Sequence, residues 1–310
     1  MSGGIGNGFS GGMLLSGIAQ NIGGTFWQAG FVYVLDLLST YPAVAYSVRA
    51  LTENTYRRPY CMLVRRSSDN ATLNIGYVNG VLDVVSLLAF VGSGNGYVVT
   101  WYNQGSLGSA GDATQSTAAS QPQIVASGVV ETWNGLPSVY FSGGSISLAT
   151  SSLSTLPVGT ASKTLSLVAQ VGTASGNQFA FAYGPNTGSG QVVLLGQESG
   201  AYVLDTNTTS RAAGGSPVLG DKLILTGIYT SSTLYIYRNG LLLNSSSSAG
   251  ASTGSPSQLG LGNWPANGAF PWNGYESEAV LWGANISATS DKSTYDLNAA
   301  AFYSIAGVTQ

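Results

Sequence analysis

From about residue 120 onward, the sequence alternates short apolar runs with turns rich in Gly, Ser and Asn, and this alternation is the strongest constraint on the fold. The clearest apolar runs are residues 165–169, 179–183 and 223–229, and residues 272–282 predict a late strand. Between two further runs, Asn239-Gly240 supplies the positive φ angles of a type I′ turn and predicts a hairpin. Strands at this spacing predict an all-β sandwich.

Three other segments have helical spacing. After Pro42, residues Val44, Val48 and Leu51 repeat with a helical period, which predicts a short helix there. Asp83 is a suitable N-cap for a second helix over 84–91. Residues 291–303 predict a closing helix. We therefore expect a few short helices on a mostly β fold.

Charge is unusually sparse. Only 7% of the 310 residues are Asp, Glu, Lys or Arg, against about 25% in an average globular protein. A surface of Ser, Thr, Asn, Gln and Gly suits packing against other chains and hydrogen bonding to neutral partners such as sugars. The alternative is a low-charge soluble protein from an unusual habitat. The net charge of −3 and a single basic cluster at residues 57–66 argue against a nucleic-acid partner.

The chain has no histidine and one cysteine. This excludes Ser-His-Asp and Cys-His catalysis, zinc sites with histidine ligands, and an intrachain disulfide. Cys61 lies in an apolar run, and we expect a core residue there rather than a nucleophile. Glu198 and Asp205 flank Tyr202 without the ligand density of a calcium loop. No metal or other cofactor is predicted.

The first 40 residues differ from the rest. They are Gly-rich, and residues 1–35 have no charge, but they contain Phe9, Phe26, Trp27 and Phe31. Two interpretations compete: a disordered tail, or an arm that becomes ordered against neighbouring subunits. Disordered tails are usually charged and poor in aromatic residues, which favours the arm. We expect an assembly arm over residues 1–40, a sandwich over 41–310, and a homo-oligomer.

The same segment lacks the basic start of a secretory signal peptide. No apolar run approaches the ~18–20 residues of a membrane-spanning helix. We expect a protein made in a cytoplasm without a signal peptide and without a membrane span.

Two series of motifs resemble known families. The first comprises AYSVRAL at 45–51, VRRSSDNAT at 64–72 with IG at 75–76, WYNQG at 101–105 and DATQ at 112–115. It resembles the start of the α-L-arabinofuranosidase B catalytic domain, and domains of that type in bacteriophage virion proteins. The second comprises LYIYRNG at 234–240, LGLG at 259–262 and WNGYESEAVLW at 272–282. It resembles the closing half of concanavalin A-like, laminin-G-type jelly rolls. The resemblance covers roughly residues 41–305 and implies a concanavalin A-like jelly-roll β-sandwich.

The catalytic residues of the arabinofuranosidase family do not carry over. That family is a group of retaining glycosidases with a Glu nucleophile and an Asp acid, the acid in a Gly-Asp-Asn context. The matching positions here are Gly262-Asn263-Trp264, and the segment matching the nucleophile, residues 191–194, has no acid. The family's Tyr-Asp-Gln turn is Tyr102-Asn103-Gln104 here, and its cysteine pairs are absent. The resemblance therefore implies the fold without the activity.

One pair of carboxylates remains as a candidate for catalysis. Glu276 and Glu278 are two residues apart in a predicted strand, so they are expected to share a face at ~6.6–6.8 Å between Cα atoms. This spacing is compatible with the carboxylate pair of a glycosidase. The alternatives are a solvated sheet edge, or a Glu278 that forms hydrogen bonds within the sandwich.

Sugar binding needs an aromatic platform with amides nearby. One set of candidates is Asn263, Trp264, Asn267, Trp272 and Asn273, and a second is Trp101, Asn103 and Gln104. Each of these Trp side chains could instead belong to the core, and Trp264, in a loop flanked by Gly and Pro, is the best candidate for exposure.

Three functions follow. The first is a virion structural protein (a spike, fibre or decoration) that contacts other virion proteins through the arm and binds host-surface carbohydrate through the jelly roll, without catalysis. The second is a glycoside hydrolase of the α-L-arabinofuranosidase type acting on arabinose-containing polysaccharide. The third is a cellular lectin-like module, which leaves the arm unexplained. The first fits the resemblance, the uncharged arm and the missing carboxylates together.

Overall fold

A computed structural model describes residues 33–54, 58–185, 189–208, 210–255, 257–264 and 268–309. These residues form an all-β fold whose strand ladders are antiparallel. The predicted all-β sandwich with a few short helices is confirmed.

The first eleven strands are β1 (Val44–Ser47), β2 (Tyr60–Arg66), β3 (Thr72–Val78), β4 (Val81–Leu82), β5 (Gly96–Trp101), β6 (Ala113–Thr114), β7 (Gln123–Ala126), β8 (Val129–Val130), β9 (Thr132–Trp133), β10 (Leu136–Pro137) and β11 (Val139–Ser142). The remaining strands are β12 (Leu148–Ala149), β13 (Lys163–Val171), β14 (Gln178–Gly184), β15 (Val193–Glu198), β16 (Ala201–Asp205), β17 (Arg211–Gly214), β18 (Lys222–Tyr229), β19 (Thr233–Arg238), β20 (Leu241–Ser247), β21 (Gln258–Leu261) and β22 (Asn273–Trp282). The α-helices are α1 (Val84–Val91) and α2 (Asp291–Tyr303), and short 3₁₀ turns lie at Val34–Leu37, Gly108–Gly111, Ala118–Ser120 and Ile286–Ala288.

The strands form one large sheet folded over into two layers. The first layer runs β3–β2–β5–β7–β11–β22–β13–β18–β19–β20. The second runs β17–β16–β15–β14–β21–β12–β6, and β6 joins it to β5 of the first layer. The layers pack closely: a Cβ added to Gly227 of β18 would lie 2.4 Å from a methyl group of Leu204 in β16.

The middle of the first layer is buried on both faces. In β13 every residue except Gln170 is buried, and β13 pairs with β18 on one side and β22 on the other. Such a strand reads as a continuous apolar run, as residues 165–169 do. The apolar side chains between the layers form the main core.

Two of the three predicted helices are confirmed. Asp83 accepts a hydrogen bond from the Ser86 backbone N at 3.0 Å and caps α1, and α2 has the predicted bounds. The predicted hairpin is also confirmed, with φ of 52° at Asn239 and 81° at Gly240.

The helix predicted over 44–51 is wrong. Residues 44–47 are strand β1, which pairs with the end of β22 and is buried throughout. Because a strand buried on both faces is apolar at successive positions, its residues also match a helical period by chance.

The assembly residues Phe9, Phe26, Trp27 and Phe31 lie outside the described residues, so the arm stays a prediction. Residues from Tyr33 onward belong to one compact unit. Within it, the Val34 and Leu35 side chains are buried, and the Asp291 carboxylate accepts hydrogen bonds from the backbone N of Ser39 and Thr40 at 2.9 and 2.8 Å. The last eight residues assigned to the arm thus contact the sandwich.

Among the described residues, no helix is long and apolar enough to cross a membrane. In the same part of the chain, no three His, Cys, Asp or Glu side chains are grouped as metal ligands would be. Cys61 is buried, as expected for a core residue, and burial raises the pKa of its thiol to about 12.

Candidate functional site

A row of partly exposed side chains crosses the first layer, one from each of seven neighbouring strands. Its members are Arg65 (β2), Tyr97 (β5), Gln123 (β7), Tyr140 (β11), Tyr275 (β22), Gln170 (β13) and Lys222 (β18). Each residue is the direct register partner of the next. Directly opposed residues of antiparallel strands project from the same face, so the row forms one continuous surface. We call it the ladder.

Strand alternation places the ladder on the outer face of the layer. The chain neighbours of its members, such as Val98 beside Tyr97, Ile124 beside Gln123 and Val139 beside Tyr140, are fully buried. Successive side chains of a strand point to opposite faces. The residue next to an inward-pointing apolar residue therefore points outward.

The centre of the ladder is aromatic. The rings of Tyr140 and Tyr275 lie 4.9 Å apart at an interplanar angle of 36°. The Tyr275 hydroxyl donates to a Glu131 carboxylate oxygen at 3.2 Å. Burial, followed by the nearby Glu131 carboxylate, raises the pKa of Tyr275 to about 12, which keeps its hydroxyl a neutral donor.

One end of the ladder opens into a groove of about 510 Å³, within the range of ligand-binding pockets. Arg65, Tyr97, Gln123 and Tyr140 line it, together with Gln121. The Arg65 guanidinium lies 4.8 Å from the centre of the Tyr97 ring, and its Nε donates to Gln121 Oε1 at 2.7 Å. The groove therefore combines ring faces with fixed amide and guanidinium donors.

The other end of the ladder opens into a second groove, of about 400 Å³. Lys222 lines it with Asn134, Asp221 and Arg238. The Lys222 ammonium donates to Asn134 Oδ1. Asp221 is engaged elsewhere, since it accepts from the Tyr202 hydroxyl at 2.8 Å and pairs with Arg238 at 3.0 Å.

The predicted sugar-binding set Trp101, Asn103 and Gln104 is buried in the structure. Trp101 is fully buried and its indole N donates to the Ser47 backbone O at 3.3 Å. Asn103 Oδ1 accepts from the Ala45 backbone N at 2.8 Å, and Gln104 bridges Leu51 N and Arg49 O. The Asn103 and Gln104 side-chain amides are hydrogen-bonded to buried backbone groups, and neither amide lies at the surface.

Most of the predicted set around Trp264 is also buried. Trp264 is 6% exposed and packs in a cluster with Phe179, Val192, Leu194 and Val203, so the expected exposure is wrong. Asn263 is 3% exposed and Trp272 1%. The Trp272 indole packs against Gly274, where an added Cβ would lie 2.9 Å from its Nε1.

The two remaining members of that set have different outcomes. Asn267 lies outside the described residues. Asn273 is partly exposed, precedes Tyr275 by two residues and so shares its face, and its Oδ1 lies 3.5 Å from the Tyr140 hydroxyl. Asn273 is therefore the one predicted sugar-binding residue that the described structure places beside the ladder.

The expected carboxylate pair does not form. A register shift in β22 pairs Glu276 with Ala169 but Glu278 with Val168. Since Val168 and Ala169 are adjacent, the two carboxylates point to opposite faces of the sheet. Glu276 faces the core, where burial raises its pKa well above the usual range; Glu278 pairs with Arg49 beside α2.

A separate charged cluster lies on the second layer. Arg211 pairs with Glu198 at 2.6 Å, and both line a groove of about 450 Å³ with Asp205. Burial, with a contribution from the Glu198 charge, raises the pKa of Asp205 to about 6. The Glu198 and Asp205 of the sequence analysis therefore do meet, although no further described acid joins them as a metal site.

None of the ladder residues was predicted from the sequence, where the candidate sugar platforms were built on tryptophans and their neighbouring amides. The available signal was weak: single outward Tyr or Gln residues in short strands, as in Gln-Ile-Val at 123–125 or Val-Tyr-Phe at 139–141. Nothing in the sequence shows that these residues are register partners.

No protein-family model matches the sequence, and no curated protein matches it. Among solved structures, the chain is similar to an arabinofuranosidase complexed with arabinofuranosyl-α-1,2-xylobiose, with a TM-score of 0.64 and 17% identity. It is also similar to a GH54 α-L-arabinofuranosidase soaked with a cyclic sulfate inhibitor, with a TM-score of 0.62 and 16% identity. A glutamate-to-glutamine variant of a GH54 α-L-arabinofuranosidase soaked with 4-nitrophenyl α-L-arabinofuranoside gives a TM-score of 0.60 and 16% identity.

Each similarity covers 86% of this chain and 64% of the solved chain, so this chain spans less than two thirds of those proteins. At such identities the similarity shows the fold. The predicted resemblance to the arabinofuranosidase fold is confirmed, whereas the resemblance to virion domains stays a prediction.

Proposed function

We propose that this domain binds carbohydrate on the ladder without chemically changing it. The observation that supports this most directly is the unbroken register of Tyr97, Gln123, Tyr140, Tyr275 and Gln170 across one exposed face. Tyrosine rings offer flat apolar surface with a polar edge, and glutamine amides offer both a donor and an acceptor. Sugars have apolar ring faces that can stack on the tyrosine rings and hydroxyl groups that can form hydrogen bonds with the glutamine amides.

The ladder suits binding better than hydrolysis. Glycosidases of the common types use two carboxyl groups beside the scissile bond. Among the described residues, Glu131 is the one carboxylate hydrogen-bonded to a ladder side chain. The described part of the ladder therefore lacks the second carboxyl group that hydrolysis on this face would need.

Arabinose-containing polysaccharides are the first ligands to test. The similar solved structures include an arabinofuranosidase complexed with an arabinofuranosyl xylobiose. We carry this over as a choice of probe, since the shared property is the fold.

The placement of the domain on a virion, with other virion proteins and a host-surface glycan as partners, rests on the sequence resemblance and the uncharged first 35 residues. It is a proposal for where the ladder acts, and the binding experiment does not depend on it.

The test is affinity electrophoresis in gels containing arabinoxylan, arabinan or no polysaccharide. Wild-type protein should be retarded by at least one polysaccharide. Tyr140→Ala and Tyr275→Ala should each weaken binding about tenfold, because each removes a central ring worth roughly 1–2 kcal/mol. Tyr235→Ala is the matched control, since Tyr235 is a partly exposed tyrosine of β19 outside the ladder.

Equal retardation of wild type, Tyr140→Ala and Tyr275→Ala would place the binding surface elsewhere. No retardation by any glycan of a broader panel would remove the proposal itself.

A further inference from the structure

We infer that the ladder is built for an acidic polysaccharide, a chain that carries carboxylate, sulfate or phosphate groups along its length. The inference rests on the proposed function and names its ligand class. The cations Arg65 and Lys222 are the first and last members of the ladder; beyond Arg65 the register continues only to the uncharged Thr72 of β3.

These two cations differ from the others of the chain in their partners. Nine of the ten Lys and Arg residues lie among the described residues, and six of them form an ion pair with a carboxylate there. The other three are Arg65, Lys163 and Lys222. Lys163 is buried, so Arg65 and Lys222 are the partly exposed cations without a carboxylate partner in this part of the chain.

Neutral acceptors hold both cations in place. Arg65 donates from Nε to Gln121, from Nη1 to Asn70 at 2.8 Å and from Nη2 to the Ala118 backbone O at 3.1 Å. Lys222 donates to Asn134. An arginine has five N–H donors and an ammonium three, so each side chain retains two. Their positive charge is therefore positioned and not neutralised.

Each cation lines one of the two grooves that end the ladder. Six steps between neighbouring strands about 4.8 Å apart give a path of about 29 Å from Arg65 to Lys222. A polymer crossing the strands meets a cation, then rings and amides, then a second cation. The Glu131 carboxylate beside Tyr275 makes the middle of the path suited to uncharged sugar units, so acidic groups are bound at the ends.

Charge density favours a polysaccharide over a nucleic acid. Two unneutralised cations along about 29 Å suit a chain with widely spaced charges. Nucleic acids carry a phosphate on every unit, and their binding depends on many Lys and Arg contacts. The net charge of −3 also opposes a dense polyanion.

The experiment uses polygalacturonate that is methyl-esterified on most units, so that its free carboxylates are widely spaced. It compares this polymer with its fully methyl-esterified form, neutral arabinan and oligo-dT as ligands of the full chain, by isothermal titration calorimetry at low and moderate salt. Polygalacturonate should bind about tenfold or more tightly than its ester, and added salt should weaken its binding. Arg65→Gln and Lys222→Gln should remove most of this preference, so that the ratio of the two affinities falls toward one. Arg66→Gln is the matched control, because Arg66 neighbours Arg65 but pairs with Asp69 at 2.7 Å.

Different outcomes would overturn the acidic ligand class and the proposed function. If Tyr140→Ala weakens binding of every polysaccharide but acid and ester bind equally, the acidic ligand class is wrong and the proposed function stands. If polygalacturonate binding depends on Arg65 and Lys222 but not on Tyr140 or Tyr275, the contact is electrostatic attraction without sugar binding on the central rings, and both proposals are wrong. Tighter binding of oligo-dT than of polygalacturonate would overturn the choice of a polysaccharide.

Discussion

Arg49 and Glu278 form an ion pair within the folded protein, with side chains 2% and 0% exposed. The second oxygen of Glu278 accepts from the Tyr295 hydroxyl at 3.0 Å, and Arg49 Nη1 donates to Asn298 Oδ1 at 2.7 Å. Both of these partners belong to α2. The pair therefore connects three parts of the fold: the segment that follows β1, strand β22, and the closing helix α2.

Replacing one partner of this pair should destabilise the fold strongly. Glu278→Gln leaves the Arg49 charge buried without a counter-charge, which typically costs about 3–5 kcal/mol. The free energy of unfolding, measured by urea denaturation, should fall by that order. Glu198→Gln is the control: its pair with Arg211 is 21% and 38% exposed, and a partly solvated pair contributes about 0–1 kcal/mol. If the free energy of unfolding falls by a similar amount in both variants, burial does not make the Arg49–Glu278 pair more important for stability than the exposed pair.

Lys163 should make stability depend on pH. It donates to Thr253 Oγ1 at 2.7 Å and the Gly159 backbone O at 3.1 Å, and burial lowers the pKa of its amine from 10.5 to about 7. Between these values the unfolded chain binds a proton that the folded chain does not. Stability should therefore rise with pH from about 7 to about 10, by at most about 1.4 kcal/mol per pH unit, and the full cost of the buried charge applies below pH 7.

The Lys163→Met variant isolates this contribution. Urea denaturation at pH 6, 8 and 10 should show the difference in stability between variant and wild type shifting by several tenths of a kcal/mol or more in favour of wild type as pH rises. A difference that is constant with pH would mean that Lys163 is not the titrating group.

We predict no arabinofuranosidase activity. The sequence resemblance implies that Asn263 stands where the arabinofuranosidase family has its acid, and Glu276 and Glu278 point to opposite faces of β22. Aryl arabinofuranosides should release the aryl group only at the background rate. The remaining close acids are Glu198 and Asp205, one paired with Arg211 and the other with a raised pKa, an arrangement that catalytic pairs also use. Turnover that disappears in Asp205→Asn would show this prediction to be wrong and would locate the chemistry.

The parts of the fold that sequence predicts are those with a local signal. The Asn239-Gly240 hairpin, the Asp83 cap and α2 each depend on residues within one turn or a few turns of chain. The strand at 44–47 lacked such a signal, because burial on both faces removes the alternation that marks a strand.

The strand register that brings the candidate site together had no local signal in the sequence. Tyr140 meets Gln123 on one side and Tyr275, 135 positions away in sequence, on the other. Such neighbours follow from sheet register, which a single sequence does not reveal. Trp264 illustrates the converse: its loop composition indicates exposure, but partners such as Phe179 and Val203 come from distant strands and bury it.

The final prediction concerns the first 32 residues, which we expect to hold the protein in an oligomer. They contain Phe9, Phe26, Trp27 and Phe31 and no charge, and aromatic groups of this kind exposed on a monomer would promote aggregation. Deleting residues 1–32 should leave a folded protein that forms a smaller species in light scattering.

Deleting residues 1–40 provides the matched comparison. It also removes the buried Val34 and Leu35 side chains and the hydrogen bonds of Ser39 and Thr40 to Asp291. Each buried apolar side chain contributes roughly 1.5–3 kcal/mol, so this longer deletion should lower the melting temperature as well as the particle size. If the protein lacking residues 1–32 assembles to the wild-type size, the arm is not the source of assembly, and the subunit contacts lie on the sandwich.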